Sequence, residues 1–359
     1  MLRQEPGKKA RPNTRKVRVG SVDIGGGSPV SIQTMWKSPL GSADSDLIRQ
    51  IEGLASLGCE IMRFAVPNTE AADILGELAG SLKIPLVADI HFDYRIALRC
   101  LDWPVAKVRI NPGNIGAGWK VEEVVRKAMD KGAALRVGIN GGSLPRNLRD
   151  EPDMGEAMVK AAEDELDILE KLGFEDVIFS LKSSDMESTL HANRLFAQRH
   201  RYPLHLGLTE SGPLIPGLVR STLVLAQLLR EGIGDTIRIS LSSSEENEVL
   251  AGRALLASCG MQRAEVQIVS CPTCGRTEFD VRGFLDQVYP FLIKQKRRMV
   301  VAIMGCSVNG PGEAKHADIG ITGTSKYAVI FKRGTIVRRV PIAEALVAFK
   351  EEIKNAEKS

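Results

Sequence analysis

The 359-residue sequence has no long hydrophobic run, few aromatic side chains and no strong excess of one charge. A membrane-spanning helix needs roughly 18 consecutive apolar residues, and no stretch of the chain approaches that length. The basic segment 1–16 lacks the apolar core of a secretory signal, so we expect a flexible tail there instead of a leader. These absences predict a soluble globular protein of the cytoplasm, with no membrane partner.

Aromatic residues make up only 5% of the chain, and the formal net charge is +4. A module that binds single-stranded nucleic acid needs exposed aromatic side chains on a basic face, so the composition argues against a nucleic-acid partner. The six cysteines are too sparse for a disulfide scaffold. We therefore expect reduced cysteines, and their spacing indicates whether they form a metal site.

Eight short apolar runs of β-forming residues alternate with segments of helical periodicity. This rhythm predicts a (β/α)8 barrel over residues 17–255. A doubly wound sheet is the competing fold, but no glycine-rich dinucleotide turn follows the first strand. A short hairpin around Gly20 is predicted to close the bottom of the barrel. The predicted barrel strands are 30–35, 60–66, 85–90, 106–112, 134–140, 176–182, 203–210 and 236–242.

The pattern changes after about residue 252. Strands and helices no longer alternate regularly, and residues 262–359 are predicted to form a second, smaller α+β domain. Strands are expected at 266–269, 299–304, 327–331 and 335–340, with helices at 281–294 and from 343 onward.

Polar side chains lie at the carboxyl ends of the predicted barrel strands, where barrel enzymes build their sites. Within most strands they are two or four residues apart, and therefore on one face. Five cations and two anions would give this barrel mouth a net charge of +3. Guanidinium groups suit phosphate oxygens, which predicts a small, multiply anionic substrate, although each Arg could instead pair with a carboxylate. These residues are Arg63, Asp89, His91, Arg109, Asn111, Arg136, Asn140, Ser180, Lys182, Glu210, Arg238 and Ser240.

Cys271 and Cys274 form a Cys-x-x-Cys pair after a predicted strand, and Cys306 follows Cys274 by 32 residues, also just past a strand. Two cysteine-bearing loops of this kind predict a metal site. Glu313 and His316 are the candidate fourth ligands. A histidine would suit zinc, whereas a weak oxygen ligand would suit an iron–sulfur cluster with one exchangeable iron. The spacing alone leaves both metals open. The cysteines predicted to be small buried hydrophobes are Cys59, Cys100 and Cys259.

Two cysteine-bearing segments, SCPTCGR at 270–276 and MGCSVNGPGEA at 304–314, resemble signature segments of a known enzyme family. The family is 4-hydroxy-3-methylbut-2-enyl diphosphate synthase, of the methylerythritol phosphate route to isoprenoids. The resemblance runs from about residue 14 to residue 349. Further matching segments are ADIH at 88–91, VRINPGNIG at 108–116, LRVGIN at 135–140 and DTIRISL at 235–241.

The resemblance implies a barrel followed by a ferredoxin-like domain that carries a [4Fe–4S] cluster on Cys271, Cys274, Cys306 and Glu313. It implies 2-C-methyl-D-erythritol 2,4-cyclodiphosphate as substrate, whose ring is opened with two electrons and loss of water. Reduced flavodoxin or ferredoxin would be the electron donor. It also implies a homodimer in which each cluster domain caps the partner's barrel, an arrangement that the single interdomain linker favours as well.

Residue roles also follow from the resemblance. Asp89, His91 and Glu210 would be the polar catalytic residues, with Glu210 as the acid–base candidate. The chain departs from the family pattern on the barrel lip, at TMWKS (34–38) and at SGP (211–213). The alternative function is a zinc-containing barrel hydrolase of a phosphorylated metabolite. The residues expected to bind the diphosphate are Arg63, Arg109, Asn111, Arg136, Asn140, Lys182, Arg238 and Ser240.

Overall fold

The computed structural model describes residues 14–261, 266–295, 297–306 and 314–355. The chain divides into two compact units, Met1–Gln262 and Arg263–Ser359. Residues 1–13 of the predicted tail lie outside the described part. Thr14, which the sequence places in that tail, is buried in the first unit, where its hydroxyl donates to Asp235 Oδ1 at 2.9 Å. Among the described helices, none combines the length and apolar character of a membrane span.

The first unit is a (β/α)8 barrel, as the sequence predicts. Its parallel strands follow the order β8-β7-β6-β5-β4-β3-β10-β9, and a bridge between Phe179 and Leu204 joins the two ends of that sheet. The strands are β1 (Val17–Val19), β2 (Val22–Ile24), β3 (Ser31–Met35), β4 (Ile61–Ala65), β5 (Leu86–Asp89), β6 (Lys107–Ile110), β7 (Ala134–Asn140), β8 (Val177–Lys182), β9 (His205–Leu206) and β10 (Thr236–Ile237). The helices are α1 (Ser45–Leu57), α2 (Thr69–Ser81), α3 (Tyr94–Cys100), α4 (Pro112–Ile115), α5 (Gly118–Lys131), α6 (Met154–Lys171), α7 (Met186–Arg199), α8 (Leu214–Arg230) and α9 (Glu245–Ser258).

Local sequence explains where the barrel helices begin and end. The side chain of Asp44 accepts hydrogen bonds from the backbone at the start of α1, and Gly58 ends that helix with φ of 111°. A carboxylate at the first position and a glycine past the last are the expected caps. Leu47, Ile51 and Leu54, at three- and four-residue spacing, form the buried face of α1. A side chain also caps the start of α2, α3, α6, α7 and α9, whereas α5 and α8 have no side-chain cap. Gly132 ends α5 as Gly58 ends α1.

The β1–β2 hairpin covers the amino ends of the barrel strands, which confirms the predicted closure. Val17, Val19 and Ile24 are fully buried and belong to one apolar cluster with residues near the starts of four strands. Gly20 turns the hairpin with φ of 56°, and a Cβ at this position would lie 3.1 Å from Pro85. Glycine is therefore required there by both conformation and space. The strand residues in this cluster are Ile61, Val87, Ala134 and Ile178.

Some predicted boundaries are wrong. The predicted strands 203–210 and 236–242 shorten to β9 and β10, so that Arg238 and Ser240 follow a strand instead of lying on it. One further backbone hydrogen bond, from Arg238 N to the Leu206 carbonyl at 3.0 Å, follows the last paired residues. Gly207 leaves room for the Lys182 ammonium, since a Cβ there would lie 2.5 Å from Nζ. The predicted strand 106–112 ends at Ile110, and the glycine-containing segment after it contains the short helix α4.

The second unit is an α+β domain built on one five-stranded sheet. The strand order is β11-β12-β13-β14-β15, parallel at the first two pairings and antiparallel at the last two. The sequence did not predict β13, because Gly320 and Gly323 weaken its strand pattern. Gly320 is needed because a Cβ would lie 2.2 Å from the Phe331 ring. The elements are β11 (Val266–Ser270), α10 (Val281–Leu292), β12 (Met299–Ile303), β13 (Ile319–Gly323), β14 (Tyr327–Lys332), β15 (Thr335–Pro341) and α11 (Ala345–Asn355).

Glu165 makes the stability of the barrel depend on pH. It is 9% exposed in α6, and Oε2 has no hydrogen-bond partner among the described residues. Burial, followed by the charge of Asp164, raises the pKa of Glu165 from 4.5 to about 7. Between those values the unfolded chain has lost a proton that the folded chain keeps, so stability falls as pH rises and stays reduced above pH 7.

We expect Glu165→Gln to stabilise the protein at pH 8 by up to about 3 kcal/mol, because it removes the buried charge. At pH 4 the difference from the native chain should vanish. Scanning calorimetry at both pH values tests this, with the exposed Glu52→Gln as control. A variant with the same stability difference at pH 4 and pH 8 would contradict the assignment.

Candidate active site

Strand register brings a row of charged side chains into the barrel interior. Asp89 pairs in register with Arg109 on the next strand, and Arg109 pairs with Arg136 on the strand after that. Arg109 Nη1 donates to Asp89 Oδ1 at 3.0 Å, and Arg63 Nε lies 3.5 Å from Oδ2. Because side chains alternate along a strand, the two-residue spacing seen in the sequence selects the inward face.

Asp89 is the anion of this row, and it is ionised. Burial raises its pKa, but the charges of Arg63 and Arg109 outweigh burial and hold the pKa of this carboxyl well below its usual range. His91 Nε2 lies 3.5 Å from Asp89 Oδ2 and its side chain is 47% exposed. Of the two groups predicted to be catalytic here, Asp89 therefore orients cations, whereas His91 reaches the solvent side of the mouth.

Arg136 and Lys182 are two buried cations of the mouth, 2% and 6% exposed. Among the described residues, neither forms an ion pair with a carboxylate. Arg136 Nε and Nη1 also have no hydrogen-bond partner there. Burial, followed by repulsion from neighbouring cations, lowers the pKa of both groups well below their ordinary values. A bound anion would relieve both penalties.

Arg238, in contrast, is paired with a carboxylate. Its partner is Glu248, which the sequence analysis did not identify as a site residue. Both oxygens of Glu248 in α9 accept from Arg238, at 3.2 and 3.1 Å. Glu248 also accepts from Thr34 Oγ1 at 2.6 Å and Leu241 N at 3.0 Å, and Lys37 Nζ lies 3.0 Å away. The lip segment that departs from the family pattern is thus tied to Glu248 through Lys37.

Glu248 was missed because it sits in an acidic first turn, which normally indicates a solvated helix start. The one feature that sets Glu248 apart from its acidic neighbours is that it lies on the buried face of α9, four residues before Gly252. We expect Glu248→Gln to destabilise the fold by about 2–3 kcal/mol, since two partly exposed cations lose their partner. We also expect KM for the anionic substrate to rise about tenfold, because Arg238 loses its orientation.

Thermal melts and steady-state kinetics of the Glu248→Gln variant test this expectation. The exposed neighbour Glu246→Gln is the matched control, and Glu248→Asp should recover part of the affinity. An unchanged KM in Glu248→Gln would show that Arg238 does not depend on this carboxylate.

The remaining predicted residues differ in how firmly they are held. Asn111 is buried, and its Nδ2 donates to Ser143 Oγ at 2.9 Å. Asn140 and Ser240 are half-buried. Glu210 is exposed and has φ of 51°, a left-handed conformation that is uncommon outside glycine and is often found at functional sites. Its exposed carboxyl group suits acid–base chemistry at the mouth.

In the second unit, two cysteine loops leave the same edge of the sheet. Cys271 follows β11 and Cys306 follows β12, and these strands pair in parallel up to Ser270 and Ile303. The backbone N–H of Cys271 donates to the Ile303 carbonyl at 2.9 Å. All cysteines are free thiols.

Cys274 is exposed, and Thr273 reverses the chain before it with φ of 66°. A hydrogen bond from the Arg276 backbone lowers the pKa of the Cys274 thiol, and burial of this group is too slight to oppose it. A thiol poised to ionise is a good metal ligand. No three candidate ligands lie close enough together to hold a metal among the described residues. The predicted fourth ligand, Glu313, lies outside that part of the chain.

The fold and the site define a (β/α)8-barrel protein with a buried cationic pocket, followed by a second domain with three cysteines in its loops. Comparison with known families narrows this class. The GcpE TIM-barrel domain matches residues 14–253, and the GcpE protein C-terminal domain matches residues 267–355. The chain therefore belongs to the GcpE family, which confirms the resemblance seen in the sequence.

Curated relatives carry the name 4-hydroxy-3-methylbut-2-en-1-yl diphosphate synthase (flavodoxin). The protein from Treponema pallidum is 48% identical, and the match covers 95% of this chain and 90% of the relative. The protein from Thermodesulfovibrio yellowstonii is 47% identical, with 96% and 99% covered. The relative from Geobacter sulfurreducens is 44% identical, with 96% and 98% covered. The hydrolase alternative finds no support among these relatives.

Proposed function

We propose that this chain opens the ring of 2-C-methyl-D-erythritol 2,4-cyclodiphosphate reductively to form 4-hydroxy-3-methylbut-2-enyl diphosphate. The observation that carries the proposal is the pair of buried cations Arg136 and Lys182, which form no ion pair with a carboxylate in the described part of the chain. A doubly charged substrate supplies the missing negative charge. The relatives' names supply the identity of the product.

The barrel residues have two different roles in substrate binding. Arg136 and Lys182 hold the diphosphate, while Arg63 and Arg109 keep their places through Asp89. The fixed guanidinium groups orient the carbon skeleton without reorganising during the reaction. Glu210, exposed at the mouth, gives a proton to the hydroxyl that leaves as water. Asn111, Asn140, Arg238, Ser240 and His91 complete the rim of the site.

Cys271, Cys274 and Cys306 would hold a [4Fe–4S] cluster, with Glu313 as the fourth ligand. Three free thiols on two neighbouring loops match the thiolate chemistry that such a cluster requires. When bound, the cluster would pass the two electrons of the reaction from the donor to the substrate, one at a time. Reduced flavodoxin is the proposed donor, as the relatives' names indicate, and ferredoxin is the alternative.

A homodimer in which each cluster domain caps the partner's barrel is also proposed, with the cytoplasm as its location. Helix α8 supports self-association, because Ile215, Val219 and Leu223 are 73%, 55% and 49% exposed at four-residue spacing on one helix face. Sedimentation analysis measures the oligomeric state. A monomer with full turnover would contradict the capped arrangement.

The test of function is anaerobic purification followed by metal analysis and a turnover assay. We expect brown protein with about four irons per chain that converts the cyclic diphosphate when reduced flavodoxin is supplied. Colourless protein that binds one zinc, even after reconstitution with iron and sulfide, would contradict the redox function. Iron-loaded protein that binds but does not convert the cyclic diphosphate would contradict the substrate assignment.

A further inference from the structure

Beneath the barrel mouth lies a group of buried polar side chains that the proposed function does not use. Thr236 pairs in register with Ser31 on one side and His205 on the other, so the three are neighbours on adjacent strands. All three are fully buried, as is Lys107 at the start of β6. Barrels of this class usually fill this space with layers of Val, Ile and Leu.

These side chains point into the barrel. Lys107 Nζ lies 3.4 Å from Gln33 Oε1, although β6 and β3 are not neighbouring strands, so this contact crosses the interior. Leu206 faces outward, since its side chain lies against Gly234, which places the adjacent His205 inward. The bottom of the barrel below them is closed by the β1–β2 hairpin.

The group is under-satisfied in hydrogen bonds. Within the described residues, neither ring nitrogen of His205 has a partner, and the same holds for Ser31 Oγ, Thr236 Oγ1 and Gln33 Nε2. Buried polar groups in proteins are nearly always paired. Both His205 nitrogens are therefore available to accept or donate a proton without breaking an existing bond.

The barrel interior carries more cations than anions. Asp89 faces the inward cations directly, and Glu248 is occupied by Arg238 and Lys37. Burial, followed by the charges of Lys182 and Arg136, holds the pKa of His205 well below its ordinary value. Burial and Arg136 do the same to Lys107. The charged groups around them are Arg63, Asp89, Arg109, Arg136, Lys182, Arg238 and Glu248.

We propose that His205 and Lys107 form a proton store beneath the anion pocket, which takes up a proton when a doubly charged anion binds to Arg136 and Lys182. Two added negative charges offset the excess of cations that keeps the proton away. This inference rests on the proposed substrate. The dianionic ring, two electrons and one proton give the trianionic diphosphate and one water. Glu210 gives that one proton, so the stored proton is not consumed and serves to offset the charge of the bound anion.

Isothermal titration calorimetry in buffers of different ionisation enthalpy measures this uptake. The full-length, cluster-loaded, oxidised protein is titrated anaerobically with the cyclic diphosphate and no reductant, so that the ring stays closed. Each phosphoryl group of this ligand carries one strongly acidic proton and does not titrate between pH 6 and 8. We expect uptake of about one proton per ligand at pH 6, and Kd should then rise by up to tenfold per pH unit.

Variants assign the uptake to residues. His205→Gln should remove at least half of the proton uptake at pH 6. Lys107→Met should reduce the uptake that the native protein still shows at pH 8. His191→Gln is the matched control, because His191 lies on α7 with its side chain 50% exposed, and it should leave the uptake unchanged. If His205→Gln fails to fold, the proposal is still tested by the proton uptake of Lys107→Met and by the pH dependence of Kd in the native protein.

The outcomes separate this inference from the proposed function. Binding without proton uptake at any pH overturns the proton store and leaves the substrate assignment intact. Equal uptake in the native chain, His205→Gln and Lys107→Met also overturns it, since another group would then bind the proton. Failure of the native protein to bind the cyclic diphosphate contradicts the proposed substrate itself.

Discussion

Replacing Arg136 by methionine should strongly weaken substrate binding and make the protein more stable. We expect Kd for the cyclic diphosphate to rise by about 100-fold or more, since a desolvated, charge-assisted contact is worth roughly 3 kcal/mol or more. We also expect unfolding to cost about 1–4 kcal/mol more, because a buried cation without a carboxylate gives way to an apolar side chain of similar length.

Calorimetric binding and thermal melts of the same preparation measure both effects. The opposite signs distinguish a binding residue from a structural one, since a structural arginine would lower stability when removed. Arg99→Met is the control, because Arg99 lies on α3 and its Nε is 2.7 Å from Asp73 Oδ1. It should leave binding unchanged. A loss of both stability and binding in Arg136→Met would mean that Arg136 is part of a structural ion-pair network.

Replacing Cys274 by alanine should remove the redox function and leave the fold intact. The side chain is exposed, so its loss creates no cavity. We expect iron content to fall well below that of the native chain, and turnover to fall by about three orders of magnitude or more, toward the uncatalysed background. Substrate affinity of the barrel should stay within about twofold, since Arg136 and Lys182 are untouched.

Iron and sulfide analysis, visible absorption and turnover with reduced flavodoxin measure the effect. Cys259→Ala is the matched control, because Cys259 caps the end of α9, where burial raises its pKa and keeps it protonated. It should retain iron and activity. A Cys274→Ala variant with full iron content and full turnover would remove this residue from the ligand set.

Local sequence patterns predicted the features that depend on local geometry. Side chains alternate along a strand, so the spacing of Arg136 with Asn140 and of Ser180 with Lys182 could be interpreted as one face of each strand. The cysteine segments could also be recognised as a candidate metal site, since Cys-x-x-Cys brings two thiols together within one loop. The two units of the fold, the barrel and the hairpin that closes it followed from periodicity and turn residues.

Ion pairing was not predictable from the sequence. Arg63, Arg109, Arg136 and Arg238 have the same chemistry, yet Asp89 holds two of them, Glu248 holds another, and Arg136 remains without a carboxylate. Which cation finds an anion depends on distances of 3–4 Å between residues far apart in the chain. Strand lengths also escaped prediction, because apolar residues continue past the ends of β9 and β10.

The barrel, the second domain, the anionic substrate class and the family could be predicted from periodicity and from motifs of a few residues. The three-dimensional fold was needed to show which cations are available to that substrate and that Glu248 binds the lip through Lys37. It also showed that polar residues, with His205 among them, fill the barrel interior. Closing the barrel brings side chains up to 214 residues apart, such as Thr34 and Glu248, within hydrogen-bond distance. Contacts at that range depend on how all eight strands meet, which no local pattern contains.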